Sequence, residues 1–406
     1  MSSPQNPWHV VINLSSYYDI KDKREYMNTQ IQKCFADYQK NPISIVNVDV
    51  ELTHVLFSEI GSILNLIKTK IPKSKIHTLK LRVLHAEKMS QNSFEFLLRH
   101  DEIQYIDIGE STKIGFKGEY VQNTKLKGIC MGSDSLERGN EQEPALFLQS
   151  IPTLEMLDIS NFFQQDPNYA PRYFPFESMK NLSYVNLAGN YLQEIPENLT
   201  LLTNLRYLNI SDNAFSKINI EFDVFERLEK LIMKKTIPNK HDSHIYIDPS
   251  LYRCRKLLHL DLSGTMLNNL EEGMEQMSEL TYLDLSFTGL QELPTSITKL
   301  RNLQTLLVRD TNINEMPRNI GDLTFLRRLD FSMNFIDEIP KSITTLQFLT
   351  RLELPMFSEE MISYPQWVLN FIAKVNRIEL TNIMFIIQQA PAVVTNTSNR
   401  FRNPQD

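Results

Sequence analysis

Apolar residues return in one frame along most of the chain. Leu182, Val185 and Leu187 precede Asn190, and Leu205, Leu208 and Ile210 precede Asn213. The frame L-x-x-L-x-L-x-x-N/T recurs from Leu228, Leu257, Leu280, Leu303 and Leu326, and its apolar part again at Leu349, Leu352 and Leu354. Positions four and six are separated by one outward residue, which predicts a short strand with one buried face. A second apolar segment follows each strand, as in Leu290, Leu293, Ile297 and Leu300, and Pro294 at its start prevents a long regular helix. Pro196, Pro317 and Pro340 stand at equivalent places. No single unit can bury its own apolar edges, so successive units must stack into an α/β solenoid.

The polar residue at position nine breaks the apolar pattern. Asn190, Asn213, Thr236, Thr265, Thr288, Thr311 and Asn334 are expected to form an inward ladder that satisfies backbone groups in the turn after each strand. That role is structural. Before Leu182 the frame loosens but persists at Ile45, Ile76, Ile103, Leu126 and Leu154. A strand is predicted over 9–14 and an amphipathic helix over 19–40. A second helix is predicted through Leu52, Val55, Leu56, Ile60, Ile63, Leu64 and Ile67, and another helical stretch holds Phe94, Leu97 and Leu98. After Leu354 a helix at 367–372 and a last strand at 375–380 are expected to close the array.

The organisation expected is therefore an N-terminal cap at 1–44, irregular longer units at 45–181, regular 23-residue units at 182–355, a C-terminal cap at 356–394 and a disordered tail at 395–406. The spacing from Leu228 to Leu257 grows to 29, which predicts a protruding insertion at 236–248. A second polar stretch runs from Ser133 to Glu143.

This frame is that of the leucine-rich repeat (LRR). The fold expected is an LRR horseshoe with a parallel concave sheet and helix-bearing N-terminal repeats. Leu293-Pro294-x-x-Ile297-x-x-Leu300, Met316-Pro317-x-x-Ile320-x-x-Leu323 and Ile339-Pro340-x-x-Ile343-x-x-Leu346 make residues 182–355 resemble the Ras-group-related and Scribble-like type of intracellular LRR protein. The resemblance implies a scaffolding role, often in signalling. It is specific for fold and unspecific for partner. The longer N-terminal units also resemble LRR substrate receptors of cullin-type ubiquitin ligases, the alternative reading. Those carry an elongin-binding helix of the form L-x-x-x-C-x-x-x-aliphatic, whereas this chain has Gln30 and Tyr38 around Cys34. Leu126-x-x-x-Cys130 has the spacing but falls on a predicted strand.

Composition narrows the function classes. Hydrophobic content of 42% excludes wholesale disorder, and a formal charge of -7 argues against nucleic acid as the main partner. Three dispersed cysteines, no N-terminal signal pattern and no long apolar run predict a cytoplasmic protein without membrane insertion. Twelve glycines and the absence of phosphate-loop, zinc-protease or nucleophile-elbow motifs predict no enzyme, cofactor or metal. His241, His244 and Asp248 could hold zinc with a further ligand, but the reading favoured is a hydrophilic insertion that contains two histidines.

A protein partner on the concave face is the remaining expectation. At position three the chain reads Tyr184, Tyr207, His259, Tyr282, Arg328 and Arg351, residue types that anchor interfaces. Position five reads Asp107, Asp158, Asp261, Asp284, Asp330 and Glu353, an acidic stripe that ordinary family composition would also produce. Arg328 is expected to meet Asp330, and Arg351 to meet Glu353. Ile232, Leu258, Leu307, Met333 and Met356 are expected as outward apolar residues. The candidate site is Tyr184, Tyr207, Asp261, Tyr282, Asp284, Arg328, Asp330 and Arg351.

Overall fold

A computed structural model describes residues 8–14, 23–40, 46–53, 57–71, 76–84, 98–100, 102–109, 125–132, 147–163, 174–215, 217–218, 220–236, 244–336, 338–357, 366–374 and 379–380. The chain divides into two compact units, Met1–Asn213 and Ala214–Asp406.

In the first unit the chain runs β1 (Trp8–Leu14), α1 (Lys23–Lys40), β2 (Val46–Thr53), α2 (Phe57–Lys70) and β3 (Ile76–Leu84). The short strands β4 (Tyr105–Ile108), β5 (Gly128–Met131), β6 (Met156–Asp158), β7 (Tyr184–Asn186) and β8 (Tyr207–Asn209) follow. Each pairs with the next in parallel. Strand alternation continues further than the helical spacing suggested. Val48, Val50 and Leu52 are buried at period two, so Leu52 belongs to β2 and α2 begins only at Phe57. Ile60, Ile63, Leu64 and Ile67 do form the buried stripe of α2. Of the predicted helical stretch around Phe94, only Leu98 lies within the described residues, and it is buried.

In the second unit β9 (Lys230–Ile232), β10 (His259–Asp261), β11 (Tyr282–Asp284), β12 (Thr305–Leu307) and β13 (Arg328–Asp330) pair in parallel, each with the next. A short side ladder joins β14 (Phe335–Ile336) to β16 (Met356–Phe357). The main sheet continues from β13 to β15 (Arg351–Glu353), and β15 pairs with β17 (Glu379–Leu380), which follows α3 (Gln366–Lys374).

Position one, four and six residues such as Leu280, Leu283 and Leu285 are completely buried. Each such leucine contributes about 2 kcal/mol of burial. The second segments are short 3-10 turns, for example Glu197–Leu201, Thr295–Lys299 and Lys341–Thr345. Proline sets their start: Leu199, Ile297, Ile320 and Ile343 donate their N–H groups to the carbonyls of Pro196, Pro294, Pro317 and Pro340.

The position-nine ladder forms as its spacing predicts. Asn213 accepts from the N–H groups of Asn190 and Leu192 and donates to the carbonyls of Leu187, Ile210 and Ser211. Asn334 likewise accepts from Thr311 and donates to Val308, Phe331 and Ser332. Thr265 reaches the carbonyl of Met233 and Thr288 that of Leu285.

The predicted insertion at 236–248 is narrower than its spacing implied. Thr236 is fully buried in the ladder, and Ile245 and Ile247 are buried too. Ile247 bridges Ile218, and the Ile245 N–H donates to the Met266 carbonyl. Two isoleucines at period two are too apolar to protrude. Residues 237–243 lie outside the described residues, as do Ser133–Glu143 and the tail from Thr395.

Candidate functional site

Parallel strands in register repeat the same side-chain direction every ~4.8 Å, so identical residues at one position stack. Tyr184 lies opposite Tyr207, with ring centroids 4.1 Å apart and planes within 6°. Both rings are half-buried on the outward face. Burial, with Tyr207 alongside, pushes the Tyr184 hydroxyl above the usual phenol range. Farther back in the same unit, Tyr105 lies flat across Gly128; a β-carbon on that glycine would stand 2.4 Å from the ring. Lys80 reaches over the other face of Tyr105, 5.1 Å from its centroid.

The second unit repeats the device. His259 stacks on Tyr282 at 4.1 Å and 4°. Burial and the nearby Lys230 hold the imidazole down to about 4, so it is neutral at neutral pH. The Tyr282 hydroxyl donates to Asp284 Oδ2 at 3.2 Å.

In the second unit position five does not present an acidic stripe to solvent, whereas Asp107 and Asp158 in the first are half-buried. Asp261, Asp284, Asp330 and Glu353 are 2%, 8%, 3% and 3% exposed. Each aspartate closes the turn after its own strand. Asp261 accepts from the N–H and hydroxyl of Ser263, Asp330 from those of Ser332, and Asp284 from the N–H of Ser286. Asp158 and Asn209 do the same with Ser160 and Ser211. The longer side chains at positions three and seven then fold over them. Lys234 Nζ is 2.8 Å from Asp261 Oδ2, and Arg351 Nε 2.9 Å from Glu353 Oε1. Leu307, expected as an outward apolar residue, is buried too.

Arg351 meets Glu353 as its spacing predicts. Arg328 departs from expectation: it reaches Glu353 on the next strand, at 3.5 Å, and its Nε is buried without a partner. Asp330 pairs in register with Glu353, and burial together with that carboxyl pushes Asp330 up to about 6.

The candidate residues thus fall into groups. Tyr184 and Tyr207 form one stack in the first unit. In the second, Tyr282 and Asp284 share a hydrogen bond, while Arg328, Asp330 and Arg351 surround Glu353. Position eight adds residues that the composition of position three did not flag. Phe287 and Met333 are 56% and 40% exposed and hold positive φ angles of 59° and 61°. Gly264 takes the same place with φ 71°. The signal in the sequence is a large apolar residue exactly eight places into a repeat, where small or turn-forming residues are favoured. The side chain of Met356 lies outside the described set.

Of the histidine cluster only His244 is described. Cys254 is buried, donates to the Phe222 carbonyl and has its thiol pushed up to about 12 by burial. Among the described residues no three His, Cys, Asp or Glu side chains converge as metal ligands, and no helix is long and apolar enough to cross a membrane.

With this geometry in place, residues 238–364 match the family model described as a leucine-rich repeat region. Among solved structures, the chain is similar to an LRR protein of Leptospira interrogans, at 18% identity over 85% of this chain and 98% of that one, with a TM-score of 0.41. It is also similar to an internalin of Listeria monocytogenes, at 16% identity over 71% of this chain and 82% of that one, with a TM-score of 0.49. No curated protein matches the chain. The repeat frame, the parallel strands in sequence order and the matched region together define an LRR fold.

Proposed function

We propose that this chain is a non-catalytic interaction module that takes a protein partner on the outward faces of its repeat strands, acting as a scaffold or adaptor. The observation that carries the reading is the pair of preformed ring stacks, Tyr184 on Tyr207 and His259 on Tyr282. Rings locked against a neighbour lose little freedom on binding, so their contact area converts efficiently into affinity. A cytoplasmic, signalling-type setting is part of this reading, supported by two free thiols, Cys130 and Cys254.

Affinity capture with mass spectrometry identifies the partner, and titration of that partner against Tyr207→Ala/Tyr282→Ala tests the surface. Each true anchor lost should cost about 2 kcal/mol or more. A correctly folded double variant that binds with wild-type affinity overturns the reading.

A further inference from the structure

The charges on the strand face of the second unit are sorted by depth. Its acids at position five are buried, closing turns or held by Lys234 and the two arginines over Glu353. The cations stand outside. Arg309 and Arg327 are exposed, and Arg328 and Arg351 keep 35% and 40% of their side-chain surface open above Glu353. Among the described side chains, Glu229 and Asp310 are the acids that remain near the surface on this face, and Glu379 pairs in register with Arg351. The sequence pattern of an acidic stripe therefore becomes, in three dimensions, a surface on which guanidinium groups make the outermost contacts.

Apolar side chains lie among these cations. The Phe287 N–H donates to the Arg309 carbonyl, which fixes Phe287 beside that residue, and the Asp310 N–H donates to Ser332, one residue before Met333. Phe287 and Met333 therefore flank the Arg309–Asp310 edge. Both occupy left-handed backbone, a conformation that disfavours a β-carbon. Both stay exposed all the same. A contact from outside explains both the exposure and the side-chain size.

We infer that the repeats from Leu280 to Glu353 bind an acidic polypeptide segment bearing apolar side chains. Its carboxylates sit on Arg309, Arg327, Arg328 and Arg351, and its apolar groups on Phe287 and Met333. Guanidinium groups pair bidentately with carboxylates, and desolvated pairs between apolar contacts are the strong ones. A polyphosphate chain fits less well, because the arginines are interspersed with exposed apolar residues that phosphates cannot cover. The inference rests on the strand-face reading above and adds the chemistry of the partner.

The test uses the full chain and a labelled random copolymer of glutamate and tyrosine, with a lysine–tyrosine copolymer and an oligothymidylate as comparisons, followed by fluorescence anisotropy. The acidic copolymer should bind and weaken steeply as salt is raised. Arg309→Glu/Arg327→Glu, whose side chains sit at the surface, should weaken it at least ~10-fold with melting temperature preserved. Phe287→Gly should weaken it severalfold while leaving the fold as stable or more so, since glycine suits that backbone. Equal binding by the arginine variant, preference for the basic copolymer, or oligothymidylate bound as tightly and lost in the same variant would each overturn the inference. A natural partner that needs Tyr207 and Tyr282 but tolerates Arg309→Glu/Arg327→Glu would sink this inference and leave the strand-face reading standing. A natural partner indifferent to both the arginine and the tyrosine variants would sink the strand-face reading and this inference with it.

Discussion

Two titratable residues on the second unit's strand face pull stability in opposite directions with pH. Asp330 is raised from 3.8 to about 6 by burial and by Glu353, so between those values the folded state holds the extra proton. Stability from this group is present at low pH and lost as pH rises through about 6. His259 is lowered from 6.5 to about 4 by burial and Lys230, so there the unfolded chain holds the extra proton, and stability is lost as pH falls below 6.5. Relative to the native protein, Asp330→Asn should make stability rise more steeply with pH between about 4 and 6, and His259→Gln should make it fall more steeply. Urea midpoints at several pH values check this, and parallel profiles for the two variants would refute the assignment. The ladder residues had a role visible from spacing alone, because a polar residue at a fixed inward position has to meet the backbone of its turn. The position-five acids did not, because their depth depends on which neighbours fold over them.

Elements in this protein are short because each is completed by the next repeat. Glu272 shows how. Its carboxylate accepts from the N–H and hydroxyl of Thr295 and from the N–H of Ser296, capping a turn one repeat away. Against the desolvation that would raise it, the bonds from Ser296 and Thr295 hold that carboxyl down to about 2. Turns also pack on one another at backbone distance. A β-carbon on Gly321 would stand 2.2 Å from the Ser342 carbonyl oxygen, and Thr345 already donates to the Gly321 carbonyl. Gly321→Ala should therefore destabilise the second unit by about 1–3 kcal/mol or more, since backbone must shift to admit it. Chemical denaturation measures this, and a loss under about 0.5 kcal/mol would show that the turns slide apart freely. The proline-led turns were legible from L-P-x-x-I-x-x-L. The end of β2 was not, since Leu52 satisfies a helical count as well as a strand count until the neighbouring strand decides between them.

At the scale of the molecule, nearest-neighbour stacking makes whole repeats exchangeable while offsets are not. Excising Leu303–Phe325 joins Asn302 to Leu326 in the same frame, so β11 meets β13 with matching positions one, four, six and nine. That variant should stay soluble and melt cooperatively at a somewhat lower temperature. Removing only Leu303–Asn314 puts every following apolar residue out of register and should give an aggregating chain. Circular dichroism and size-exclusion chromatography distinguish the two, and equal behaviour would mean that register is not what holds the stack.

From the sequence alone came the repeat frame, the strand and turn of each unit, the inward asparagine and threonine ladder, and tyrosines at position three. All follow from local spacing, which places a side chain inward or outward whatever lies beside it. Only the tertiary structure decided which outward groups reach solvent. Parallel strands ~4.8 Å apart let long side chains at positions three and seven lie over their neighbours, which helps bury the acids and leaves arginines and Phe287 outermost. Depth of that kind arises between repeats, so no single repeat's sequence records it.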